Sequence, residues 1–382
     1  MPSEVRCYNG NVTRMKEAFL QLIRLGIEHF GNPILDRVDW EALEGLAAKQ
    51  GLSAIMVDGI DRLPVEARPP KKLLLQWIGN TLQSYEYRYE QYRHTIAEMA
   101  CWYNSHGYKM MILKGYACSL NWPKPEHRPC GDIDIWQFGK QKKTDAALAK
   151  DKGIKIDNSH HHHTVFEWKG FTVENHYDFI NVHHHKSSAE IEKVFKQLGK
   201  DDSHSVEVLG EKVYLPSPNL HALFLLRHAI SEFASSSINL RQVLDWAFFV
   251  EKQGKDVDWE WLIKELDEYG MRDFFNCLNG ICVEDLGFEA EIFPYVQYNP
   301  DVKERVLNEI ITPEFQAVEP KSLLPRVVFK YKRWKANGWK HKLCYKESMW
   351  SAFWSGVWNH LLKPASIYNN GFDFSFERVY RE

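Results

Sequence analysis

The chain has 382 residues, 44% of them hydrophobic, 26% charged and 14% aromatic, and a formal net charge of −3 from 48 basic and 51 acidic side chains. At ~100–200 residues per domain, this predicts two or three domains with material for a sizeable core. It excludes low-complexity disorder, collagen and a disulfide-stapled miniprotein, and no global field advertises nucleic acid or a membrane.

In chain order, the first hundred residues read as helices. Met15, Phe19, Leu20, Leu22, Ile23, Leu25 and Ile27 form an apolar face between Thr13 and Gly31. Asp36 or Asp39 offers a cap for a second helix through Trp40, Leu43, Leu46 and Ala47, which stops at Gly51. From Lys71 to Ser105 the only Gly or Pro is Gly79, so one long amphipathic helix is expected, closed by Ser105-His106-Gly107. After Gly107 the period changes. Tyr108–Leu113 is a short apolar run, Lys114-Gly115 opens a turn into a helix from Ala117 to Leu120, and Asp132–Trp136 alternates with the period of a strand. Lys140–Asp151 reads as a helix. Thr164–Trp168 and Phe171–Tyr177 read as a hairpin about Lys169-Gly170, and Val206–Leu215 as a strand pair about Gly210. Helices return over Leu220–Phe233, Leu240–Lys252, Trp259–Tyr269 and 301–311, with a loop between Pro294 and Pro300.

The expected organisation is therefore a helical region at 1–106, a small α+β unit at 107–216, a helical region at 217–312, and an extension at 313–382. That extension carries Lys and Arg without an acid from Lys321 to Lys346. Met349, Trp350, Phe353, Trp354, Val357, Trp358 and Leu361 then recur at three- and four-residue spacing. A basic run with Trp334, Trp339 and Tyr345 suits nucleic acid, and the Trp-rich stripe suits a membrane surface or a second copy of the chain. The commoner use of such a stripe is docking on its own protein. A nucleic-acid binder working through this tail is thus a third functional reading. No run approaches the ~18 apolar residues of a membrane span, so no transmembrane segment is expected. The opening ten residues lack an apolar signal core, and seven cysteines without a Cys-x-x-Cys pair read as reduced thiols of a cytoplasmic protein.

The chemistry concentrates at Gly131-Asp132-Ile133-Asp134-Ile135. On a strand Asp132 and Asp134 share a face, ~6–7 Å apart, and repel unless something positive lies between them. A hard cation such as Mg²⁺, with Mn²⁺ as the alternative, suits such a pair; the plainer reading is a half-exposed polar strand face. Upstream, Gly115 lets backbone approach a phosphate at a helix start. Downstream, Glu174 shares a strand face with Thr172 and His176. Three carboxylates on two strands beside a phosphate-binding turn make a metal-assisted phosphoryl-transfer site.

Leu113-Lys114-Gly115, then Arg128-x-x-Gly-Asp-Ile-Asp-Ile135, then Val173-Glu-x-His176 resembles the uncharacterised nucleotidyltransferase family of the DNA polymerase β-like superfamily. His221-Ala-Leu-Phe-Leu-Leu-Arg-His228 and Asn239-Leu-Arg241-Gln-Val-Leu-Asp245 are similar to the helical region that follows its catalytic domain, and the likeness covers roughly 15 to 265. It implies an α+β fold, a small mixed-sheet nucleotidyltransferase palm flanked by helical regions. The implied activity moves an NMP from an NTP such as ATP to a hydroxyl of an unidentified acceptor (small molecule, protein or RNA) and releases pyrophosphate. Asp132, Asp134 and Glu174 would be catalytic and would hold the metals. Gly115 and Gly131 would approach the nucleotide, with Lys114 and Arg128 as charge partners. The alternative is a non-catalytic nucleotide- or partner-binding protein on the same palm. The chain departs from the wider superfamily in having Tyr116 where a serine follows the glycine, and in the prolines 123, 125 and 129 between Gly115 and Asp132.

Eight of 17 histidines lie between His160 and His185. A transition-metal site is the sharper reading and solvated loop histidines the blander one. His176, His228, Arg241 and Asp245 are left between substrate and structural roles. Arg241 and Asp245, four apart, have the spacing of an intrahelical ion pair.

Overall fold

A computed structural model describes residues 2–354 except 37, 161, 183, 184, 295, 296, 321, 352 and 353. Helix α1 (Pro2–Gly26) precedes α2 (Trp40–Lys49), whose Asp39 cap accepts the Ala42 amide at 3.0 Å, and α3 (Ser53–Asp61). The stretch expected as one helix is α4 (Lys71–Thr81) and α5 (Arg88–Ser105), joined by a π-helical turn at Leu82–Tyr87 and closed at Gly107, where φ is +71°.

The sheet follows. Strands β1 (Met111–Ile112), β2 (Ile133–Trp136), β3 (His163–Trp168), β4 (Phe171–His176), β5 (Ser205–Val208) and β6 (Glu211–Tyr214) lie in the order β3-β4-β2-β1-β6-β5. β2 runs parallel to β4 and β1 to β6, and the other neighbours are antiparallel, so the fold is α+β with a mixed sheet. Both hairpins turn through two residues of positive φ, Lys169-Gly170 and Leu209-Gly210, which matches the strand twist. Helices α6 (Tyr116–Ser119), α7 (Gln141–Lys152) and α8 (Lys186–Leu198) connect the strands. After the sheet come α9 (Pro218–Ser235), α10 (Leu240–Gln253), α11 (Trp259–Tyr269), α12 (Arg272–Gly280), α13 (Pro300–Ile311), α14 (Leu323–Ala336) and α15 (Gly338–Cys344).

The sequence reading missed α3, α8, α12, α14 and α15. The strand expected over Tyr108–Leu113 pairs only at Met111 and Ile112, and the helix after Gly115 is a single turn.

The two faces of the sheet serve different cores. Ile112, Ile133, Ile135, Phe166, Val173 and Val213 pack on Ile96, Met99 and Tyr103 of α5. Met111, Leu113, Trp136 and Tyr214 face the other way, into a larger core that α1–α3 share with α9–α13. Asp134 lies on this second face by strand alternation, turned toward the helices.

Part of the tail docks on its own chain. The Lys340 ammonium and Glu309 carboxylate form a fully buried pair, Trp339 meets Phe233 edge-on, and the Arg227 guanidinium donates to the Tyr345 hydroxyl at 3.0 Å. Val328 and Tyr331 of α14 remain exposed, and the apolar stripe beyond Trp354 falls outside the described residues. Among the described residues, no helix is long and apolar enough to cross a membrane.

α1 and α3 touch backbone to backbone through glycines. A Cβ on Gly59 would stand 2.1 Å from the Leu22 carbonyl oxygen, and one on Gly26 2.0 Å from that of Ile55. Gly59→Ala is expected to destabilise the protein by ~2–3 kcal/mol, because the obstacle is backbone rather than a movable side chain. Urea denaturation of Gly59→Ala beside Gly45→Ala, where a Cβ meets nothing within 4 Å, measures this.

Candidate active site

The parallel register pairs Asp134 of β2 with Glu174 of β4, and Trp136 with His176. Neighbouring strands stand ~4.8 Å apart, so side chains at paired positions on one face meet. Ligand atoms of Asp134, Glu174 and His176 lie within 4.8 Å of one another. Asp134 and Glu174 are thus gathered with His176; Asp132, half-buried just before β2, is not part of that group.

Asp134 is fully buried. Its Oδ1 accepts from His176 Nε2 at 3.1 Å and faces Lys114 Nζ at 3.3 Å, while its Oδ2 has no hydrogen-bond partner. Burial alone would raise the Asp134 carboxyl, but Lys114 and His176 overcome it and hold it well below the usual carboxylate range. Burial and the neighbouring Asp134 charge push Asp132 up to about 6. Glu174 is held below its ordinary value, its burial outweighed by the His176 bond. Burial opposes the Lys114 ammonium, yet Asp134, Asp132 and Glu174 push its pKa above that of a free lysine. The same balance lifts His176 to about 9, because its Nε2 lies 3.1 Å from Asp134 and 3.6 Å from Glu174.

Gly115 has φ +61°, and a Cβ there would meet the Tyr92 hydroxyl at 2.5 Å. That hydroxyl donates to the Asp132 carbonyl at 2.9 Å, so the glycine lets α5 clamp the start of β2. Gly131 is exposed, with ordinary φ and open space about it.

Arg128 and Asp245 are brought together, though not as the spacing predicts. The buried guanidinium of Arg128 donates Nε to Asp245 Oδ1 at 2.7 Å and Nη2 to Oδ2 at 2.9 Å, and Trp122 Nε1 adds a third donor at 2.9 Å. The expected Arg241–Asp245 pair within α10 is therefore corrected: Asp245 faces Arg128, and Arg241 Nε is buried without a hydrogen-bond partner. Chain proximity lost to a bidentate fork, which fits a carboxylate better than a single contact along a helix. His228 reaches the site, with Nε2 3.4 Å from Lys114 Nζ and 3.0 Å from Glu232 Oε1. His221, on the same helix, is buried against Cys118 and Phe249.

A model of the uncharacterised nucleotidyltransferase family matches residues 36–287, which span α2 to α12 and the whole sheet. The chain belongs to that family. Among solved structures, the chain is similar to an antigenic nucleotidyltransferase-like protein from Paracoccidioides brasiliensis, at 16% identity over 42% of this chain and 75% of that one, with a TM-score of 0.30. No curated protein matches it.

Sequence reasoning missed Glu232, which backs His228, and Tyr92. Neither lies in a motif. Each is an ordinary helix residue until the sheet is placed beside it.

Two predictions follow from charge burial. The folded pKa of His176, about 9, exceeds the ordinary 6.5. Its imidazolium therefore stabilises the fold fully below that lower value and loses this contribution as pH rises through the upper one. The stability gap between wild type and His176→Gln should be widest near ~pH 6 and narrow toward ~pH 10; a gap constant with pH would be inconsistent with a charged His176. Asp245→Asn, leaving Arg128 buried and unpaired, should cost ~3–5 kcal/mol, and Arg128→Met/Asp245→Leu much less. Thermal denaturation of the three proteins checks the order.

Proposed function

We propose that this protein is a metal-dependent nucleotidyltransferase that moves a nucleoside monophosphate from an NTP to a hydroxyl of an acceptor, releasing pyrophosphate. The observation that carries the reading is Asp134, a fully buried carboxylate whose Oδ2 has no partner, with ligand atoms of Glu174 and His176 within 4.8 Å. An unpaired carboxylate oxygen in a dry sheet face is costly unless a cation completes it. The residues thus fit a divalent ion: Asp132, Asp134 and Glu174 would hold Mg²⁺ or Mn²⁺. Such an ion, when bound, neutralises charge on the triphosphate and on the attacking and leaving oxygens.

The chain's own groups have definable tasks. Lys114 brings a permanent positive charge to the carboxylates and to an incoming phosphate; its Nζ stands 3.4 Å from His228 Nε2, the atom that lies 3.0 Å from Glu232. Gly131, exposed and with open space about it, would leave room for a nucleotide, whereas Gly115 serves by admitting the Tyr92 hydroxyl. Arg128, committed to Asp245, holds the segment before Gly131 against α10 and contributes by positioning. In the transfer, the acceptor oxygen bonds to the α-phosphorus and the bond from that phosphorus to its bridging oxygen breaks. The electron pair leaves with pyrophosphate, and the hydroxyl proton passes to a carboxylate of the trio. A cytoplasmic setting, where free thiols stay reduced, belongs to the same proposal.

One observation favours the non-catalytic alternative: Lys114 and His176 already neutralise Asp134 Oδ1 from within the protein. Calorimetric titration of each NTP with Mg²⁺ into wild type and Asp132→Asn/Asp134→Asn separates the two. Metal-dependent binding by wild type, weakened ~10-fold or more in a variant of unchanged circular dichroism, is expected. Equal binding by both proteins, or by neither, would leave the alternative standing.

A further inference from the structure

Next to the carboxylates, on the side of β3, stands a second group of ligands that nucleotidyl transfer does not use. Ligand nitrogens of His162, His163 and His176 lie within 4.8 Å of one another. His163 and His176 are buried and His162 is half-buried. Adjacent strand residues point to opposite faces, so His162 and His163 should diverge. They do not, because His162 sits in a bend just before β3, where its carbonyl accepts the amides of both Tyr177 and Asp178, at 3.0 and 3.1 Å. The bend turns the two rings to one another, with centroids 4.3 Å apart.

Two further observations point to a ligand. Nδ1 of His162 and Nδ1 of His163 are buried without a hydrogen-bond partner, an arrangement an imidazole cluster holds poorly unless something completes it. His176 Nδ1 donates to the Asp178 carbonyl at 3.1 Å, which fixes that ring with Nε2 toward the cluster, as outer hydrogen bonds orient metal-binding histidines; an ion bound there would displace the Nε2 proton that otherwise bonds Asp134. Glu174 Oε2, 3.6 Å from both His163 Nδ1 and His176 Nε2, supplies an oxygen at the same place.

We propose that His162, His163 and His176, with Glu174 Oε2 alongside, form a binding site for a divalent transition-metal ion of the zinc type, distinct in chemistry from the Mg²⁺ the carboxylates would take. Imidazole nitrogens select zinc, cobalt and their neighbours, whereas Mg²⁺ prefers an all-oxygen shell. Nitrogens at ~2.0–2.1 Å from one ion stand ~3.3 Å apart, so from within 4.8 Å the rings need to close by ~1.5 Å at most. An ion there would tie the start of β3 to the end of β4 and set a fixed dication beside Glu174. The proposal stands whether or not the palm transfers nucleotides.

The test uses the full chain, stripped with chelator, and Co²⁺ alone as the probe. Wild type is expected to bind one Co²⁺ with visible absorption that survives ~10 mM Mg²⁺, since Mg²⁺ is a poor competitor for imidazole. His162→Ala/His163→Ala should weaken binding at least ~10-fold, while His204→Ala, an exposed histidine on another loop, should bind Co²⁺ as wild type does. Undiminished binding by the double variant, or full displacement by Mg²⁺, overturns the site. Should that variant fail to fold, zinc-edge X-ray absorption of wild type decides: nitrogens at ~2.0 Å with imidazole scattering support the site, and an all-oxygen shell overturns it.

Discussion

Everything around the palm answers one electrostatic demand. Asp134 is fully buried beside Glu174, in parallel register, with Asp132 two residues away. Such a group of like charges survives in a sheet interior only if positive charge is built in among them. Lys114 supplies one charge from the end of β1 and His176 another from the end of β4. Each element that touches these two cations is thereby constrained.

That constraint explains how the helical lobe sits on the sheet. Lys114 leads to His228, His228 to Glu232, and Glu232 to the Gln242 side chain, which with Asn239 forms the box that begins α10. A polar chain therefore runs from the carboxylates to a helix N-terminus. Arg128 and Asp245 form a second tether between the segment before β2 and the same helix. A buried bidentate pair contributes little net stability against apolar replacements, but it penalises any arrangement that leaves one partner alone, which fixes register between lobe and sheet. The larger core adds the apolar part, since α1–α3 and α9–α13 share it.

What could be read from the chain was whatever short range decides. Hairpins at Lys169-Gly170 and Leu209-Gly210, one of the two caps offered for α2 (Asp39), and the helix end at Gly107 appear where the residues place them, because each depends on a local φ or a single nearby hydrogen bond. α8 escaped although Ile191, Val194, Phe195 and Leu198 recur at helical spacing, because no capping side chain marks its start. α3 escaped because its short apolar run, interrupted by Gly59, has no helical signature until α1 packs on it.

Alternation along β2 and β4 similarly determined, without any structure, that Asp132 and Asp134 share a face and that Glu174 shares one with His176. Tertiary structure alone decided that these two faces are one, that Lys114 lies between them, and that Asp245 answers Arg128 rather than Arg241. It also decided that His162 and His163 converge, since a bend outside the regular strand cancels the period on which sequence reading relies. Side-chain periodicity is local and legible; strand partner, register and the match of buried charges are set by contacts between residues far apart in the chain, 42 apart for Asp134 and His176 and 117 for Arg128 and Asp245, where burial makes an unpaired group too costly to leave.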